Sequence, residues 1–202
     1  MSLRRRSQLQ PLRRSVLIVC EGYLETSYFT ALQSHGNVNR NYILRIYCAR
    51  GGKHATVVKE TIKYEKSGHY RKNDIWCIFD TESGPESDQL EQSLQTCKQR
   101  EFNVGLSNPC FNIWALAHLQ RVNGHTTPQE SLRDLESAVG GRLQVRDTDW
   151  VLDRIIGKDF SKVINAMQNI QPFSENKLEQ IIVNNPSTNV GSLVRLLINT
   201  NV

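Results

Sequence analysis

Three carboxylates stand where short apolar runs end. Val16-Leu17-Ile18-Val19-Cys20 is unbroken and leads into Glu21 and Gly22; Ile75-Trp76-Cys77-Ile78-Phe79 leads into Asp80, Thr81 and Glu82. Asp80 and Glu82 are two positions apart, so on an extended strand end they project to the same side. Two carboxylates held together repel unless a cation lies between them or one takes a proton. Oxygen-only ligands suit Mg²⁺ or Mn²⁺, which keep several waters and bind through one or two carboxylates plus substrate phosphates. Glu21 would either complete such a site or act as general base or acid on the attacking water or leaving oxygen. Glu21, Asp80 and Glu82 are therefore a candidate metal-binding cluster. The plain alternative is that they are solvated loop acids.

This chemistry requires the two runs to be adjacent strands. Continuous apolar runs of this length read as strands buried on both faces of a parallel sheet, and in such sheets the functional crevice lies outside the carboxyl ends. Between the runs, residues 23–33 repeat Leu24, Tyr28, Ala31 and Leu32 at helical spacing. Residues 42–48 suit a second strand, and a helix is expected over about 55–66. A polar helix over 86–100 and a short strand over 102–106 follow. Four strand–helix alternations predict an α/β fold: a mostly parallel sheet with helices on both faces. From Thr126 the pattern turns helical without clear strands. Thr127-Pro128-Gln129-Glu130 starts one helix and Gly140-Gly141 ends it. Further helices are expected over 151–156, 160–170 and 192–199. The expected organisation is a basic arm over 1–14, an α/β domain over 15–125, and a helical C-terminal extension packed on it over 126–202.

Two loops could touch an anionic substrate. Arg50-Gly51-Gly52-Lys53-His54 precedes a helix but lacks Walker A spacing, and neither Ser nor Thr follows the lysine. Arg50 and Lys53 remain candidates for substrate phosphates. Ser107-Asn108-Pro109 reads as an N-cap with proline at the first helical position; Ser107 and Asn108 are candidate substrate-binding residues because a helix N-terminus can hold phosphate. The helix expected over 110–121 is apolar nearly all round and so should be buried. His118 lies within it, in phase with Phe111 and Trp114, and reads as a core residue. No other histidine has partner spacing. The five cysteines form no CxxC pair and match no zinc spacing; three lie in or beside apolar runs, as small buried hydrophobes.

With 202 residues, 39% hydrophobic and 22% charged, the chain can bury a proper core and is not of disordered composition. The net charge of +5 is localised. Arg4, Arg5, Arg6, Arg13 and Arg14 lie in the first fourteen residues, which hold no acid, and the rest is formally neutral. Such an arm either binds nucleic-acid phosphates or only aids solubility. The apolar runs near Val16 and Leu193 are far too short to span a bilayer, and no apolar stretch like a secretory signal precedes the first strand. The expectation is a cytoplasmic protein with no membrane partner, for which homo-oligomerisation stays open.

Three motifs, in one order, resemble the RloB-like family, a branch of the Toprim superfamily found in bacterial phage-defence and abortive-infection loci. They are Cys20-Glu21-Gly22 with Glu25 and Tyr28-Phe29, then Trp76-Cys77-Ile78-Phe79-Asp80-Thr81-Glu82, then Ser107-Asn108-Pro109-Cys110-Phe111-Asn112-Ile113-Trp114. The resemblance implies a Toprim-like fold and Mg²⁺-dependent nuclease chemistry on DNA or RNA, with Glu21 as catalytic acid/base and Asp80 and Glu82 as metal ligands. It also implies an AAA-type ATPase encoded nearby as partner. Glu82 replaces the family's second aspartate, and Asn112 stands where the family usually has Glu. A second function class therefore stays open: a catalytically weak module that binds nucleic acid or the partner ATPase.

Overall fold

The two apolar runs form the centre of one five-stranded sheet. The computed structural model describes residues 13–36, 38–50, 53–81, 88–170 and 178–198. Strands β1 (Arg14–Cys20), β2 (Tyr42–Cys48), β3 (Ile75–Asp80), β4 (Asn103–Asn108) and β5 (Ser187–Thr188) lie in the order β2-β1-β3-β4-β5. The first four are parallel, and β5 pairs with β4 antiparallel. Every residue from Val16 to Cys20 and from Ile75 to Asp80 is buried, as expected of strands covered on both faces.

Side-chain alternation along these strands splits the interior in two. Val16, Ile18, Cys20, Trp76 and Ile78 face one core, and Leu17, Val19, Ile75, Cys77 and Phe79 face the other. Helix α1 (Tyr23–Ser34), between β1 and β2, covers the first face with Tyr28, Phe29 and Leu32. Helices α2 (His54–Ser67) and α3 (Asp88–Arg100) cover the second with Val57, Val58, Leu90 and Cys97. The opposite placement of α1 and α2 follows from handedness. The chain leaves β1 toward β2, then crosses back over β1 to β3, and right-handed crossovers in opposite directions put their helices on opposite faces. The sheet is thus doubly wound, with its switch point between β1 and β3.

The C-terminal region completes the first core. Helix α4 (Asn112–Ala117) is buried at Ile113, Trp114, Ala115, Leu116 and Ala117. α5 (Pro128–Val139) carries a full Thr127–Glu130 capping box and ends at Gly140 with φ +77°, so its start and stop signals act as the sequence predicts. α6 (Thr148–Val151) runs into a π-helical turn (Leu152–Ile156), and α7 (Ser161–Asn169), α8 (Leu178–Val183) and α9 (Val190–Leu197) follow. α9 packs against β4, where a side chain at Gly105 would put its Cβ 2.5 Å from Ile78 and 3.7 Å from Val190. The expected α/β architecture with C-terminal helices is present and is consistent with a Toprim-like fold. Features toward both ends of the chain differ from the sequence reading. The C-terminal region also supplies a strand, β5, and Arg14 is the first residue of β1, its guanidinium ion-paired with the fully buried Asp74 carboxylate. No helix among the described residues is long and apolar enough to cross a membrane.

His118 is a core residue. Its Nδ1 lies 2.8 Å from the Trp114 carbonyl and its Nε2 3.2 Å from the Tyr28 hydroxyl, which fits a neutral ring donating through Nδ1 and accepting at Nε2. Burial pushes its pKa from 6.5 down to about 4. The unfolded chain therefore binds more protons than the folded one between those values, and stability falls as pH drops through that window. His118→Gln is expected to flatten this decline by about 2–3 kcal/mol between pH 7 and pH 4.5. Urea unfolding at the two pH values measures it, and an equal decline in both proteins would contradict the assignment.

Candidate active site at the carboxyl end of the sheet

In doubly wound sheets the crevice for ligands opens at the switch point, outside the carboxyl ends of the strands that flank it. Here those strands are β1 and β3, and their terminal acids meet. Cys20 is the Cα partner of Ile78, and the Glu21 N–H donates to the Ile78 carbonyl at 3.0 Å. The Glu21 carboxylate in turn accepts the Asp80 backbone N–H, Oε2 to N 3.0 Å. Asp80 is almost wholly buried, and Glu21 is half-buried. Glu82 lies outside the described residues.

Two further residues frame the pair. Glu25 is buried in the first turn of α1, and a Cβ added at Gly22 would lie 2.7 Å from its Oε2. Gly22 is thus the residue that lets this carboxylate fold back over the helix start, where a negative group suits the dipole. Burial first, and then the Glu25 charge, push the Cys20 thiol well above its usual range, so Cys20 is an inert core group. Sequence reasoning assigned Glu25 no role beyond the family pattern. It missed His54 altogether. This first residue of α2 is buried, its ring packs on Phe79 with centroids 5.3 Å apart, and its Nε2 lies at hydrogen-bond distance from the Asp80 carbonyl. The one usable signal was topological: the helix that crosses back over β1 must begin beside the switch point.

The remaining candidates divide. Ala49 donates to the Cys20 carbonyl at 2.8 Å, so the end of β2 lies beside that of β1. Arg50, with φ +26°, and Lys53, the residue before α2, are exposed at this same edge. Gly51 and Gly52 lie outside the described residues. Ser107 and Asn108 are next to the acids in the sheet, since Ser107 is the Cα partner of Asp80, but their side chains turn away. The Ser107 hydroxyl is 3.0 Å from that of Thr188, and the Asn108 amide donates to the Ile181 and Ile182 carbonyls at 2.9 and 2.8 Å. The expected N-cap at Asn108 does not form. Both residues still belong to β4, and α4 starts only at Asn112, after Phe111, which makes no side-chain cap bond. Their polar groups instead secure β5 and α8.

Among the described residues the side chains of the acids themselves offer carboxylate oxygens at the switch point, with the His54 imidazole turned to the Asp80 carbonyl and the Cys48 thiol turned to the Glu21 carbonyl, Sγ to O 3.9 Å. Such oxygens fit Mg²⁺ or Mn²⁺ and not a soft metal. Among the described residues no three His, Cys, Asp or Glu side chains stand close enough to hold an ion by themselves.

A family model described as RloB-like protein matches residues 16–197. The chain belongs to the RloB-like family. The match runs through β5 and α9, so the C-terminal region is part of the RloB-like unit. No curated protein and no solved structure gave a match.

Proposed function

We propose that the chain is a Mg²⁺- or Mn²⁺-dependent nuclease that hydrolyses phosphodiester bonds in DNA or RNA. The observation that carries this reading is the meeting of Glu21 and Asp80 at the switch point, tied through the 3.0 Å bond from the Asp80 N–H to the Glu21 carboxylate. Asp80, with Glu82 and Glu21, would hold the cation. Bound there, it supplies Lewis-acid polarisation of the phosphodiester and favours formation of hydroxide from water. Glu21 holds or moves a proton at the attacking water or the leaving oxygen. His54 fixes the strand end that carries Asp80, and Arg50 and Lys53 offer positive charge to the phosphates beside it.

The family resemblance extends the proposal to a Toprim-type enzyme of a cytoplasmic bacterial anti-phage defence system, acting with an AAA-type ATPase. The alternative of a catalytically weak binding module draws on Asn112, which opens α4 with an amide where the family pattern carries a carboxylate. Purified protein incubated with single- and double-stranded DNA and RNA is expected to cut at least one of them in Mg²⁺ or Mn²⁺ and none in EDTA. Binding without metal-dependent cleavage would favour the module. Calorimetry that finds no divalent binding at millimolar concentration, with or without nucleic acid, would overturn the enzyme.

A further inference from the structure

The connection between α5 and α6 is anchored on either side of one arginine. Ser27, buried on α1, donates to the Val145 carbonyl at 2.8 Å, and the Asp147 carboxylate accepts the Trp150 N–H at 3.0 Å as the N-cap of α6. Between these anchors the Arg146 guanidinium lies 4.1 Å from the centroid of the Tyr23 ring. Tyr23 is the first residue of α1, two positions after Glu21, and is 36% exposed. Arg146 is itself exposed and makes no ion pair among the described residues. A shallow cavity of about 630 Å³, lined by residues 144–149, opens at the arginine, within the size range of ligand sites.

A guanidinium stacked on an aromatic face keeps its edge N–H groups free, in the fork geometry that matches two phosphate oxygens. The aromatic ring holds the guanidinium in place; of the two acids that line the same cavity, Asp147 is turned to the Trp150 N–H as the cap of α6 and Asp149 is exposed. We propose that Arg146 is a phosphate-binding residue, which holds a phosphodiester of the nucleic-acid strand flanking the one positioned at Glu21 and Asp80. This rests on the nuclease reading and gives the C-terminal region a direct part in substrate binding.

The test is binding of fluorescent single-stranded DNA and RNA oligonucleotides over a salt series in Ca²⁺, with cleavage kinetics in Mg²⁺ and thermal midpoints measured alongside. Arg146→Ala is expected to raise Kd several-fold at low salt and to reduce the log–log salt slope by about 0.7, the increment for one single-strand phosphate contact. It should raise KM while kcat holds. Arg146→Lys should keep the slope but bind less tightly than wild type, because lysine lacks the planar fork. A wild type that binds and cleaves, beside an Arg146→Ala variant with unchanged slope and KM, would overturn this inference alone. The same holds if the variant loses only thermal stability, since the arginine would then be an anchor of the loop. A wild type that neither binds nor cleaves would overturn the nuclease reading, and this inference with it.

Discussion

Asp80→Asn is expected to abolish metal-dependent cleavage while leaving the thermal midpoint unchanged or higher. Asparagine keeps the shape of the buried side chain, and the backbone groups of residue 80 that bond Glu21 and His54 are untouched. What changes is charge. Without a cation, neighbouring carboxylates repel, so removing one relieves the apo protein while depriving the metal of a ligand. Glu21→Gln should behave differently. Its amide oxygen can still accept the Asp80 N–H, so the strand ends stay joined and metal binding survives. Turnover should fall by about 10²–10⁴, the usual worth of a positioned proton-transfer group. Glu82→Asp is expected to retain or raise activity. Single-turnover cleavage and calorimetry on the same preparations separate these outcomes. Wild-type turnover in Asp80→Asn would move the active site away from the switch point.

The pairing of Glu21 with Asp80 was legible because strands buried on both faces announce themselves as unbroken apolar runs, and the end of such a run marks the sheet edge. The same logic located α1, β2, α2 and β4 to within a residue or two. It failed where structure depends on a distant partner rather than on local pattern. β5 is two polar residues, a strand only because Thr188 and Ser187 meet Ser107 and Asn108 of β4. The helix α8 is six residues long and has one buried side chain, Ile181, too few for a period to show. Asn108 carried a strong cap signal, Asn before Pro, yet its amide had better partners in the α8 carbonyls. Arg14 looked like one of five solvated arginines, since nothing local to it reveals the buried Asp74. His54 and Arg146 were invisible for the same reason: each is defined by what it touches across the fold, Asp80 in one case and Tyr23 in the other.

Trp114→Ala is expected to destabilise the protein by about 3–5 kcal/mol, the range for removing a buried large aromatic, and for a chain of this size that lowers the thermal midpoint by roughly 6–20 °C. The indole is buried at 1% exposure and stands edge-on to Tyr28 and His118, with ring centroids 6.3 and 5.2 Å away. On another side it meets the backbone of α9, where a Cβ at Gly191 would sit 3.4 Å from its six-membered ring. It therefore touches both α1 of the N-terminal half and α9 near the end of the described chain. The core that holds it contains Val16 and Tyr28 together with Leu135, Val163 and Leu193. A cavity at this point cannot be confined to one half, so the variant should unfold in a single transition, shifted as a whole and equally by circular dichroism and by fluorescence of the remaining tryptophans. A variant with two separated transitions would show that the C-terminal helices form an independent unit. An unchanged midpoint with lost nucleic-acid binding would mean that Trp114 serves the ligand and not the core.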